Sequence, residues 1–270
     1  MRPTALDEFV AALAGAGDAG ASMLMVVAHP DDEVIGLGGH FARLPELRIV
    51  HVTDGAPRDL RDARAHGFAE ARAYALARRR EMHAALHLGG IARENLLSLD
   101  LPDQEAMLHL PGLSQRLAAI FGEVRPRFVL THPYEGGHPD HDATAFAVHA
   151  ARAALAPGEA PILIEMASYH LAAAGTVYQR FVSDPARPEA AIRLDAAAAA
   201  RKQRLIACFH TQAATLAAFR PDIERFREAP AYDFAALPNG GRLQYEAWGL
   251  GQGADWLRHA RSALDELVPA

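Results

Sequence analysis

The sequence predicts an α/β protein built on a mostly parallel sheet, and three observations carry that expectation. Apolar runs of strand length recur at Met23–Val27, Leu47–Thr53, Asn95–Leu99 and Arg127–Thr131, as buried strands do. Helix-patterned segments separate them, the order that parallel pairing needs. Two of the runs end abruptly in clusters of histidine and aspartate, at the carboxyl ends of strands, where ligands bind in such sheets. The 270 residues, half apolar and 22% charged, suit one large globular domain, or one with a modest appendage.

In chain order, Ala28-His29-Pro30-Asp31-Asp32-Glu33 follows the first strand, and Val34 to Ala42 opens a helix packed through Gly36, Gly38 and Gly39. Those glycines come too late after the strand for a dinucleotide turn, and Phe41 stands where its third glycine is needed. The second strand ends at the turn Asp54-Gly55-Ala56-Pro57. Seven arginines between Arg58 and Arg80, interleaved with acids, suit a solvated face. Arg58 or Arg64, in the loop after the second strand, is alternatively a substrate-binding residue. Tyr74–Leu88 reads as a helix stopped by Gly89-Gly90; its His83 and His87 do not form a His-Glu-x-x-His site. After the third strand, Asp100-Leu101-Pro102-Asp103-Gln104 forms another loop on the site edge. A helix at Leu113–Phe121 then leads to the fourth strand.

The second cluster, His132-Pro133-Tyr134-Glu135-Gly136-Gly137-His138-Pro139-Asp140-His141-Asp142, follows that strand. Asp142 is expected to cap the helix reaching about Leu155, which puts His141 at a helix N-terminus, where imidazole stays neutral as a metal ligand must. Later, Ile162–Tyr169 and Thr176–Val182 read as strands about a turn at Ala172–Gly175, with antiparallel pairing. Asp195 is expected to cap a helix at Ala196–Phe209. Arg220–Gly253, rich in proline and glycine, reads mostly as loop, and a last helix covers Ala254–Leu267. His40, His51, His109, His149, His170 and His259 have no partners by spacing.

One histidine and one carboxylate from the first cluster, His29 and Asp32, with His141 from the second, make a His-Asp-His set that leaves a position for water, the form of a catalytic zinc site. Zinc is the expected cofactor, although iron and cobalt also suit such ligands. Asp31, beside Asp32, is placed to take a proton from that water. His138 is placed to stabilise an oxyanion or protonate a leaving group, and Asp140 to orient an imidazole. Hydrolysis of an unactivated amide or ester follows.

Ala28-His29-Pro30-Asp31-Asp32-Glu33 and His138-Pro139-Asp140-His141, about a hundred residues apart, resemble the two signature motifs of the PIG-L (LmbE-like) zinc-dependent N-deacetylases. Arg78, Glu81, Ala85, Leu88 and Gly89 resemble the helix pattern between them, so the resemblance implies a single domain, 1–270, with a signature core at about 23–155 and a C-terminal extension at about 160–270. The resemblance implies a Rossmann-like fold and removal of acetyl from an N-acetylated amino sugar or glycoside. It also implies His29, Asp32 and His141 as zinc ligands, Asp31 as general base and His138 as electrostatic stabiliser or acid. Of the His-x-Ser/Thr-Gln pattern in many relatives, Thr211 and Gln212 match, but Phe209 takes the histidine position and His210 is shifted by one. Gly136 stands where some members have tyrosine. Tyr134 and His210 are the residues expected to compensate on the substrate side.

The expected partner is a small N-acetyl sugar or glycoconjugate; a homo-oligomer stays open. A net charge of −6 argues against a nucleic-acid surface. No apolar run approaches a membrane span, no secretory signal is visible and Cys208 is the only cysteine, so the expected location is the cytoplasm. Competing readings are a metal-dependent phosphoesterase, which the arginines from Arg58 onward would serve, and a non-catalytic metal- or sugar-binding module.

Overall fold

A computed structural model describes residues 3–15 and 23–267. Its centre is a sheet of seven strands, β1 (Met23–Val27), β2 (Arg48–Pro57), β3 (Leu96–Asp103), β4 (Phe128–Thr131), β5 (Ile162–Met166), β8 (Ala190–Arg193) and β9 (Ile223–Glu228). Their order across the sheet is β3-β2-β1-β4-β5-β9-β8. The first five pair in parallel, and β9 and β8 extend the sheet antiparallel. A separate hairpin joins β6 (Tyr169–Ala172) to β7 (Gly175–Tyr178). The fold is thus Rossmann-like, with additional strands in the C-terminal part.

β1 is buried on both faces. Met23, Met25 and Val27 face one core with Phe9 of the helix Ala5–Leu13, Met82 and Leu86 of the helix Ala71–Gly89, and Leu205 of the helix Ala196–Ile206. Leu24 and Val26 face another with Leu117 and Phe121 of the helix Leu110–Val124, Phe146 of the helix Pro139–Ala153, and Trp256 of the helix Gly253–Leu267. Helices therefore cover both sides of the sheet, which is why its central strands are continuous apolar runs. None of the described helices is long and apolar enough to cross a membrane.

Three expectations are corrected. The stretch from Arg220 to Gly253 contains β9, an interior strand of the sheet. Its charged Glu224 and Arg227 are buried because each meets an opposite charge, Lys202 and Glu165. Asp142 is not the cap of its helix: that helix starts at Pro139, His138 is the cap, and the buried Asp142 carboxylate accepts the Gly136 N–H at 3.1 Å. The third strand continues to Asp103 through a bulge. Between the pairs His51–Ser98 and Thr53–Leu101 it holds one residue more than β2, and Asp100 takes a left-handed φ of 57°.

The order of the parallel strands positions the site. The chain moves outward from β1 to β2 and β3, then returns to place β4 on the other side of β1. Such a reversal opens a crevice at the carboxyl ends of the two central strands. Both histidine-aspartate clusters follow those strands.

Candidate active site

The cleft at this crevice holds about 360 Å³ and is lined at its base by His29, Asp31, Asp32, Asp103, His138 and His141. His29, Asp32 and His141 each bring one ligand atom within 4.8 Å of the others. The His29 backbone N–H donates to Asp32 Oδ2 at 2.8 Å, and Asp32 Oδ1 lies 3.3 Å from His141 Nε2. His29 Nε2 faces Asp140 Oδ2 at 3.2 Å and Asp103 Oδ1 at 3.3 Å. Donating its Nε2–H to those carboxylates leaves Nδ1 toward Asp32, the pattern by which an outer carboxylate orients a ligating histidine.

Asp140 is built in rather than open. Its carboxylate also accepts the N–H groups of Gln104, at 2.6 Å, and Ala106, at 3.0 Å, so it ties the end of β3 to the second cluster. His138 Nδ1 accepts the Asp140 N–H at 3.2 Å, which places the ring proton on Nε2. Burial, with neighbouring His29, pushes the His138 pKa down to about 3. It is a neutral donor. His141 is likewise pushed down to about 3, by burial and by neighbouring His132, and its Nε2 is buried without a hydrogen-bond partner.

Arg78 comes from the helix Ala71–Gly89 and is buried. It donates to Asp31 Oδ2 at 2.8 Å, the Pro30 carbonyl at 2.8 Å and the Gly55 carbonyl at 2.6 Å. Gly55 has a φ of 66°, and a Cβ there would sit 2.7 Å from the guanidinium carbon. Burial pushes the Asp31 pKa up to about 8, against the pull of Arg78.

A cation suits this residue set on two observations. Asp31, Asp32, Asp103 and Asp140 crowd four acidic groups together while, among the described residues, Arg78 is the only arginine or lysine lining the cleft, a balance that a bound cation would relieve. The unpartnered His141 Nε2 points into the same set. Two imidazoles and a carboxylate are ligands of the kind zinc, iron or cobalt takes.

The four residues expected on the substrate side do not line this cleft. Arg58 is held by Asp54 at 2.7 Å and by the Ala56 carbonyl at 2.6 Å, beside a separate depression. Arg64 is exposed on the short helix Arg61–Ala65. Tyr134 packs against Phe234 and Trp256 in the core, its hydroxyl donating to the Ala236 carbonyl. His210 is exposed, whereas its neighbour Gln212 reaches the cleft. Gly136 has a φ of 71°, which a tyrosine would strain, and a Cβ there would need the Leu243 side chain, 2.7 Å away, to shift. Sequence reasoning missed Arg78 and Asp103 as site residues. Asp103 was recoverable as an acid in a loop already assigned to the site edge; the Arg78 signal was submerged among six neighbouring arginines.

Residues 24–152 match a family model described as GlcNAc-PI de-N-acetylase, PIG-L. This segment is a PIG-L family domain. Around it the fold resembles a deacetylase of the teicoplanin biosynthesis pathway, at 18% identity and a TM-score of 0.59 over 76% of this chain and 96% of that one. It also resembles N,N'-diacetylchitobiose deacetylase from Pyrococcus horikoshii, at 20% identity and a TM-score of 0.52 over 78% and 81% of the two chains. GalB, the 4-carboxy-2-hydroxymuconate hydratase from Pseudomonas putida KT2440, gives 20% and 0.52 over 80% and 99%. No curated protein matches the chain. At these identities the likeness concerns the fold, and the chemistry of the PIG-L domain rests on its own residues.

Proposed function

We propose that the PIG-L domain hydrolyses the amide of an N-acetylated amino sugar or glycoside, releasing acetate, with a divalent metal, zinc by preference, held by His29, Asp32 and His141. The observation that carries this reading is the meeting of those three ligand atoms beside Asp31 at the crevice between β1 and β4. A cation bound there polarises the amide carbonyl and acidifies water. Asp31 accepts the proton of the attacking water. Arg78 binds its Oδ2, leaving Oδ1 for that water, and its buried setting lets it hold the proton until the amine departs. The neutral His138 donates its Nε2–H to the developing oxyanion. Asp103 and Asp140 fix the His29 ring and act as positioning residues.

The deacetylase neighbours, one named for teicoplanin biosynthesis and one for diacetylchitobiose, support an N-acylated sugar as substrate class. Phosphoester cleavage has lost its argument, since Arg58 and Arg64 lie outside the cleft and Arg78 is committed to Asp31. The test is acetate release from a panel of N-acetylglucosamine derivatives by metal-quantified protein. Release that stops on chelation and returns with zinc is expected; release unaffected by chelation, or none from any derivative with metal bound, contradicts the reading.

A further inference from the structure

The cleft has two unlike ends. Its base is the polar set described above, whereas its outer wall is built from Tyr169, Tyr178, Phe219, Trp248 and Leu250, none of them charged. Tyr169 and Tyr178 face each other across the β6–β7 hairpin. Their ring centroids lie 5.9 Å apart, and Tyr178 meets Phe219 at 5.2 Å. Tyr169 stands 5.3 Å from His141 on one side and 5.3 Å from Trp248 on the other. The wall therefore begins beside the ligand set and runs outward. At its far end Trp248 is 41% exposed, the only aromatic among the exposed large apolar residues of the described chain.

We propose that this wall receives an uncharged aromatic aglycone carried by the N-acylated sugar; the proposal rests on the deacetylase reading above. With the amide at the His29–Asp32–His141 set, the rest of the substrate extends along the wall. Rigid rings give a flat partner large contact at little cost in conformational freedom, whereas an alkyl chain must give up several rotations to lie along them. The cleft volume, near the lower end for small-molecule sites, suits one sugar and one further ring.

Three substrates decide the matter: N-acetylglucosamine, its phenyl β-glycoside and its octyl β-glycoside, compared by acetate release with wild-type and Trp248→Ala protein. The phenyl glycoside is expected to show a KM about tenfold below that of the free sugar, a ratio that Trp248→Ala brings close to one. Equal KM values in the wild type, or an octyl glycoside bound more tightly than the phenyl one, would overturn the proposal. Should none of the three release acetate, the deacetylase reading fails on its own, and binding still tests the wall. Of the two tryptophans, Trp256 is wholly buried, so a saturable shift in emission with the phenyl glycoside that disappears in Trp248→Phe supports the proposal. An unshifted emission in the wild type refutes it.

Discussion

Asp31 holds its backbone at a φ of 132°, a conformation that side-chain-bearing residues rarely adopt. It stays there because its N–H donates to Glu33 Oε2 at 2.9 Å and its carboxylate is held by Arg78. Strain of this kind persists where the surroundings over-determine it. Asp31 and His29 of the motif have separable tasks. Asp31→Ala is expected to keep its metal and lose activity by about a hundredfold or more, whereas His29→Ala should lose metal and activity together. Metal content by emission spectroscopy alongside acetate release checks this, and equal metal loss in both variants would contradict the roles assigned. The residues brought to the cleft base from the two clusters were legible in the sequence because His-Pro-Asp-Asp and His-Pro-Asp-His follow apolar strands, where dense polar clusters have no packing use. Tyr134 was not legible as a core residue: the motif around it reads as site, yet its ring sits in the apolar layer beside Trp256 and Phe146.

At the scale of elements, strands with apolar runs were readable and β9 was not. Ile-Glu-Arg-Phe-Arg-Glu between prolines looks like exposed loop, since the partners that neutralise its charges come from distant parts of the chain. Glu224 accepts from Lys202 at 2.7 Å and from the Gly39 N–H at 2.8 Å, and its second oxygen lies 2.6 Å from His40 Nδ1. Lys202 also donates to the Ile35 carbonyl, so one buried pair fastens the helix Ala196–Ile206 and the helix Asp32–Leu37 to β9. Lys202→Met is expected to destabilise the protein by about 3–5 kcal/mol, because it leaves a buried carboxylate without its cation. Adding Glu224→Leu should recover much of that loss. Urea denaturation of the single and double variants measures both effects; a double variant no more stable than Lys202→Met would show that the charge pair is not the cause.

Across the whole molecule, stability is tied to acidity through the half-buried His149. His149 lies outside the ligand sets, and burial, with Arg152 nearby, pushes its pKa down to about 4. The unfolded chain takes up this proton near pH 6.5 while the folded protein refuses it until about pH 4. The share of stability that depends on a neutral His149 is therefore lost as pH falls from 6.5 to 4. His149→Phe is expected to flatten that decline by about 1–3 kcal/mol, read as a smaller drop in Tm between pH 7 and 5. An identical decline in the variant would exclude His149 as a source.

The bulge at Asp100 has a consequence for the outermost strand it interrupts. β3 ends the sheet on one side, and an uninterrupted border strand offers its free amides and carbonyls as a template for another chain. With Asp100 in a left-handed conformation and one surplus residue beside it, no straight row of such groups remains to be matched. The opposite border, β8, is only four residues long. The bulge that precedes Asp103 in the strand thus also guards the sheet against unwanted growth.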